Sequence, residues 1–273
     1  MRQSRPSPGL QQTLRSLDQY YARLLDCEQE QLHEGRWTIL DRGPTEDSVT
    51  RAFGIRQVLY LLAPLYSVGG RPSGVASLAP ELRAQIAELL ETTDPATLYQ
   101  DLPRLRTLSR RVRQNVHPIA PGSSSRLAVH YATEETYIRY YGPWCDWIEP
   151  LEKNREADPY GLALLINYTG GVFVARIHDA IAAYIGLHAY SKRVWELTLP
   201  RLTPYVRANQ TDVINDSNHL LTALLARATR AAFAAGAIPI CTAPGGDERW
   251  RQMLEAVGYD QYANASVYAA TLA

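Results

Sequence analysis

An α+β fold is predicted, and three observations predict it. Between residues 170 and 200 three short apolar runs, Val172–His178, Ile181–Tyr190 and Val194–Leu199, are bounded by Gly170-Gly171, Asp179-Ala180, Ser191-Lys192 and Pro200. Turn residues at that spacing read as a three-stranded meander. A long apolar helix, Leu220–Ala235, follows, closed by Gly236, and a strand, Ile238–Thr242, lies beyond it. From Leu10 to Val116, by contrast, the chain reads as mostly helical, with no clear strand.

The elements follow in order. Met1–Gly9 is polar and proline-rich and reads as a lead without structure. Leu14, Leu17, Tyr21, Leu24, Leu25 and Leu32 place one helix over Leu10–Leu32, stopped by Gly35. Trp37–Leu40 is too short to classify. Thr45-Glu46-Asp47-Ser48 reads as the start of a second helix reaching Leu62, since acidic residues in a first turn suit the helix dipole. Ser77–Asp94 gives a third, with Pro80 in its first turn, and Asp94-Pro95 starts a fourth through Val112, with Pro103 a second candidate start. The stretch His117–Ser125 combines proline, glycine and three serines between two periodic segments. It divides the chain into a helical domain or extension, residues 1–120, and a second domain, residues 121–273. Beyond it Arg126–Ala132 alternates as a strand, Thr133-Glu134-Glu135 reads as a helix start, and Tyr160–Leu165 as a helical turn. Tyr137–Trp147 is densely aromatic, as a core or a substrate groove would be.

Composition narrows the function. Lys+Arg and Asp+Glu both number 28, which argues against a general attraction to nucleic acid or to an anionic membrane. The longest apolar run, near Ala223–Ile240, is interrupted by Arg227, Arg230, Gly236 and Pro239, so no membrane span and no signal segment is expected and a cytoplasmic location is. Cys27, Cys145 and Cys241 are far apart and form no metal-binding spacing, so no metal is expected and reduced thiols are. Arg104, Arg106, Arg110, Arg111 and Arg113 crowd one helix, either as a solvated face or as a docking face for an acidic partner or a nucleotide phosphate.

The second half, roughly Arg126–Ala273, resembles the GCN5-related N-acetyltransferase (GNAT) superfamily as an atypical member. The residues that carry the resemblance are the meander, Leu202-Thr203-Pro204 in place of a Val-x-Pro, Leu224-Leu225 in the following helix, the Gly236 closure, and Gly258-Tyr259 in place of a Gly-Phe. The resemblance implies a mixed central sheet flanked by helices and transfer of an acyl group from a thioester to an amine. The donor would be acetyl-CoA or another acyl thioester, on CoA or on a carrier protein's pantetheine arm. The acceptor would be a small-molecule amine or a carrier protein. In that fold the donor's amide pairs with a splayed strand, and its pyrophosphate sits on the N–H groups at the next helix start. Leu199, Leu202, Arg207 and His219 would then contact the donor.

One departure stands out. Ser217, His219 and Leu221 occupy the positions of the family's loop glycines, and about nine extra residues separate Arg207 from the expected register. Asp212 and Asp216 lie in this loop, where a carboxylate competes with phosphate for the same donors. Glu196 stands near the start of the third meander strand, where the resemblance implies an acidic general base, and Tyr262 is the candidate proton donor, because Leu254 stands at the family's usual tyrosine position. His130, His178 and His188 fall in strands and could do acid–base work if a pair converged. Cys241, in an apolar strand, is the wrong setting for a nucleophile. The alternative function is a GNAT-like domain that has lost acetyl-CoA transfer and serves as a binding module or performs other acyl-thioester chemistry. The N-terminal helices could cap the acceptor site, set a homodimer or bind a protein.

Overall fold

The computed structural model describes residues 7–41, 55–66, 71–120, 122–141, 144–151, 170–177, 180–189, 191–204 and 217–271. They form two compact units. One comprises Leu17–Val129, Pro244–Gly246 and Gln261–Ala273, and the other Met1–Ser16, His130–Ala243 and Asp247–Asp260. They are called here the 17–129 unit and the 130–260 unit.

The 17–129 unit holds five strands: β1 (Trp37–Asp41), β2 (Ile55–Pro64), β3 (Gly74–Leu78), β4 (Ser124–Tyr131) and β11 (Asp260–Thr271), in the order β1-β3-β2-β11-β4. β1 runs parallel to β3, and β2 is antiparallel to both β3 and β11. Three helices, α2 (Pro80–Glu91), α3 (Pro95–Gln100) and α4 (Leu102–Asn115), bury Leu82, Ile86, Leu90, Leu105, Leu108 and Val112 in one core with Leu59, Leu61 and Leu78. Their starts follow local chemistry. Pro80 and Pro95 occupy first-turn positions, where a missing N–H costs nothing. The Asp94 carboxylate accepts from the Ala96 N–H at 2.9 Å, and that of Asp101 from the Arg104 N–H at 3.1 Å. Asp101 therefore splits the single helix expected from Asp94 to Val112 into two. Of the basic run on α4, Arg104 pairs with Asp101 and Arg111 with Glu88.

The helix expected over 45–62 is corrected. Ile55–Pro64 is a strand, and residues 45–54 lie outside the described residues. Every residue from Val58 to Pro64 is buried. A strand covered on both faces reads as a continuous apolar run and loses the period of two that distinguishes it from a helix. Trp37–Asp41 and Gly74–Leu78 were too short to show any period, so the expectation of no strand before Val116 fails there as well. The first helix, α1 (Pro8–Leu25), ends earlier than expected, at Asp26, whose φ of 55° breaks it. A 3-10 turn, Gln29–His33, follows, its start fixed by the Glu28 N–H donating to the Gln31 side chain at 2.9 Å.

The 130–260 unit contains β5 (Ile148–Pro150), β6 (Gly170–Ile177), β7 (Ala180–His188), β8 (Val194–Leu197) and β10 (Ile238–Pro244), in the order β10-β8-β7-β6-β5. A two-residue strand, β9 (Arg201–Leu202), also pairs with β7. The meander is antiparallel, and β10 returns parallel to β8 after α5 (Ser217–Ala234), so the sheet is mixed. This is the meander, helix, strand order expected from sequence. The face of the sheet carrying Ala183, Ile185, Leu187, Leu197, Cys241 and Ala243 shares a core with Leu220, Leu221, Leu224, Leu225 and Ala228 of α5. A last helix, α6 (Glu248–Ala256), starts on an Asp247 cap and adds Met253 and Leu254 to that core. Thr133–Thr136 is a turn tied by its threonine hydroxyls rather than the expected helix start, and Tyr160–Leu165 lies outside the described residues.

Gly258, expected from the resemblance, has a physical cause. Its φ is +90°, and a Cβ there would stand 1.9 Å from the Thr136 carbonyl oxygen. Gly236 also has a positive φ, +71°, with open space around it. Gly236→Ala should therefore cost only the left-handed penalty, about 1 kcal/mol. Gly258→Ala should cost at least about 2 kcal/mol, because backbone must also move. Urea denaturation of the two variants checks the difference, and equal midpoints would mean that the close approach does not constrain the fold.

Candidate active site

The central observation is an opening between two parallel strands. β8 pairs with β10 from Val194↔Ile238 to Leu197↔Cys241, and the pairing stops there. Beyond Leu197 the chain stays on β7: the Thr198 N–H donates to the Gly186 carbonyl at 2.9 Å, β9 pairs Arg201 with Tyr184, and the Thr203 N–H donates to the Ala182 carbonyl at 2.9 Å. β10 runs on to Pro244. Between the pairs Leu197↔Leu187 and Arg201↔Tyr184, three residues on one strand face two on the other. That is a β-bulge at Thr198–Pro200, which bends the strand where it leaves β10. Gly186 and Thr198 fasten the bulge twice, since the Gly186 N–H also donates to the Thr198 hydroxyl at 2.9 Å. Pro200, which has no N–H to give, sits inside the bulge, where a strand tolerates it.

Glu196 lies one residue before the opening. It faces His188 across β7 and Ile240 across β10. Alternation puts it on the sheet face away from α5, because its neighbour Leu197 belongs to the core that α5 covers. It is only half-buried, but burial of its carboxyl raises the pKa above the usual carboxylate value. The Thr242 hydroxyl, donating to Oε1 at 3.3 Å, opposes that shift. His188, directly opposite, is half-buried too, and burial lowers its pKa, favouring the neutral imidazole. The two shifts leave a carboxyl drawn toward neutrality opposite, in register, an imidazole held neutral. Thr242 and the bulge were not found in the sequence. Thr242 carries no motif, and a bulge shows only in the pairing register.

The other residues singled out from sequence are dispersed. Leu199 and Leu202 lie in and just after the bulge, partly buried against the core. His219 stands exposed in the first turn of α5, its Nδ1 2.8 Å from the Tyr140 hydroxyl. Ser217 opens α5 and is buried, so helix residues with side chains replace the glycine cradle there. Arg207, Asp212, Asp216 and His178 lie outside the described residues. His130 is buried, and burial pushes its pKa down to about 4, with Glu255 pulling weakly upward, so it is a neutral core histidine. Cys241 is fully buried, and burial followed by the Glu196 charge raises its pKa far above the thiol range, as expected of an inert thiol. Tyr262 belongs to the 17–129 unit, where its hydroxyl donates to Asp18 Oδ1 at 2.8 Å. Burial, then the neighbouring Tyr66 and Asp18, hold its proton well above the usual phenol range. Among the described residues no group of three His, Cys, Asp or Glu is placed to hold a metal ion, and no helix is long and apolar enough to cross a membrane.

No family model matches the chain, and no curated protein is found similar to it. Solved structures similar to it include GNAT-family acetyltransferases. One, from the GNAT family of Novosphingobium aromaticivorans, is 15% identical over 57% of this chain and 66% of that one, with a TM-score of 0.40. A GCN5-related N-acetyltransferase from Kribbella flavida is 15% identical over 91% of this chain and 95% of that one, at 0.38. A GNAT-family acetyltransferase from Colwellia psychrerythraea is 10% identical over 94% and 96%, also at 0.38. These likenesses are distant. The class of the 130–260 unit rests on its own strand order, the parallel return of β10 and the bulge in the strand between β8 and β9.

Proposed function

We propose that the 130–260 unit is an N-acyltransferase that moves an acyl group from a thioester to an amine. The observation that supports this is the parting of β8 from β10 beside a bulge, with Glu196 one residue before it. Two strands that part expose backbone N–H and C=O groups that ordinary pairing would satisfy. An extended pantetheine arm carries amides at the spacing of a strand and can take those groups up. The amine attacks the thioester carbonyl, a C–N bond forms and the C–S bond breaks. The amine's proton passes to Glu196 directly or through one water, and the thiolate leaves and takes up a proton. No covalent intermediate on the protein is needed, which agrees with the inert setting of Cys241.

The start of α5 favours a particular kind of donor. Ser217 is buried and His219 is engaged with Tyr140 where a glycine loop would cradle a pyrophosphate. Pantetheine held by backbone at the opening needs no such cradle, so the donor is either CoA gripped mainly through its arm or a carrier protein's pantetheine. The acceptor is a small amine or an amine on a carrier protein, and the setting is cytoplasmic. Calorimetric titration with acetyl-CoA and, separately, with S-acetyl-pantetheine tests the reading. We expect both to bind, with affinities within about tenfold of one another, that is, within about 1.4 kcal/mol. Binding of neither would defeat the acyltransferase reading and leave a GNAT-like fold without its donor.

A further inference from the structure

The 130–260 unit holds a cavity on one face of α5. Ala223, Ala226, Arg227 and Arg230 line it at helical spacing. The opposite wall is the aromatic segment Tyr137–Tyr141 with residues 145–148, and the cavity is about 370 Å³. The aromatic wall is fixed at two points. The Tyr137 hydroxyl donates to the Ala226 carbonyl at 3.2 Å, and the Tyr140 hydroxyl meets His219 Nδ1 at 2.8 Å. Tyr137 also packs edge-on against Phe233.

The charges in it do not balance. Among the described residues, Arg139, Arg227 and Arg230 line the cavity against a single carboxylate, Asp146. None of the three arginines forms an ion pair among the described residues. Arg227 lies over the Phe173 ring at 5.4 Å, and Arg139 over the Tyr141 ring at 4.9 Å. All three fields reach the Tyr137 phenol. Like charges gathered around one concavity repel each other, and an anion between them removes that repulsion. Elsewhere in the chain arginines near carboxylates do pair, as Arg104, Arg111, Arg176 and Arg251 show.

We propose that this cavity is a binding site for a phosphate monoester attached to a planar ring, a mononucleotide in size and chemistry. Three guanidinium forks against one carboxylate leave two positive charges, which matches a dianionic phosphate monoester. The exposed Tyr141 and half-buried Tyr140 offer flat faces on which a base can stack. The volume suits a ligand of that size. The site stands apart from the acyl-transfer reading and survives its failure.

The test is titration of the full chain with AMP, with adenosine and inorganic phosphate as controls, followed by the same titrations on Arg227→Gln/Arg230→Gln. Both arginines are exposed, so the variant should keep the wild-type melting temperature. We expect saturable AMP binding that weakens at least about tenfold in the variant, steepens its fall with salt in the wild type, and exceeds that of adenosine or phosphate alone. No AMP binding, an affinity unchanged by the double substitution, or adenosine binding as well as AMP would each overturn the proposal. A competition arm assigns the source. Displacement of AMP by acetyl-CoA would place the donor's own phosphate monoester here, and undisturbed AMP binding would mark a separate ligand. Both outcomes uphold the phosphate-monoester chemistry.

Discussion

Glu196→Gln is expected to lower the rate of acyl transfer by about 10²–10⁴-fold while leaving thioester affinity unchanged. The substitution keeps the size of the side chain and its contact with Thr242 and removes only the ability to accept a proton. Because burial raises the pKa of Glu196, the active carboxylate form appears at higher pH than for an exposed glutamate. The wild-type rate should therefore rise with pH through that raised value, and the residual rate of the variant should lack this limb. The same shift has a consequence for stability. A carboxyl whose folded pKa is raised contributes stability that is fully present below its unfolded value, about 4.3, and lost as pH rises through the folded value. At pH 7–8 the wild type bears that loss and the amide does not. Glu196→Gln should therefore melt higher than the wild type at pH 7–8 and no higher at pH 4. An ordinary outward-facing strand glutamate would show neither effect, and a transfer rate within threefold of wild type would remove Glu196 from the mechanism.

Much of this site was legible in the sequence because its residues sit in elements with strong local signals. The meander is punctuated by turn residues, α5 combines an apolar face with a terminal glycine, and the two together order the sheet. Glu196 is found through its place near the start of the third meander strand, where the resemblance puts an acidic residue. The bulge at Thr198–Pro200 was not, because bulges are defined by which residue faces which across two strands, and that information resides in β7 as much as in the strand that bends. In the 17–129 unit β4 is the strand that alternation at Arg126–Ala132 predicts, and the others escape prediction for a related reason. β2 is buried on both sides and has no polar residue from Val58 to Pro64 except the Tyr60 hydroxyl, so neither period survives. β11 places Ala263, Ala265 and Ala270 in the sheet, and alanine's strand signal is weak. The assignment of Tyr262 to proton donation depended on proximity in sequence to Gly258 and Tyr259. The chain instead carries Tyr262 into the other unit and onto Asp18.

That partner makes Asp18→Ala the most damaging single substitution expected in the 17–129 unit. Asp18 is almost wholly buried, 4% exposed, on the second half of α1. One carboxylate oxygen accepts from the Tyr262 hydroxyl at 2.8 Å and from the Tyr66 hydroxyl, and the other meets His33 Nε2 at 3.0 Å. Tyr21, one turn further along α1, stacks on Tyr262 with centroids 5.3 Å apart. The cluster thus joins a helix, the 3-10 turn, the residues just past β2, and β11, which are distant in sequence. Asp18 and Tyr262 are buried and Tyr66 and His33 partly so, so removing Asp18 takes from two phenols and an imidazole the acceptor they share. Breaking a buried charged group of this kind costs about 3–5 kcal/mol, a large share of a typical domain's stability. Tyr66→Phe and Tyr262→Phe each remove one donor and leave the carboxylate with two others, so each should cost about 1.5–3 kcal/mol. Because the three variants break one network, their effects should not add: Asp18→Ala combined with Tyr262→Phe should cost less than the sum of the two alone. Urea titrations of the four proteins measure this. Additive costs, or an Asp18→Ala cost no greater than that of Tyr66→Phe, would show that Asp18 holds nothing together and that the buried tyrosines are retained for their rings alone.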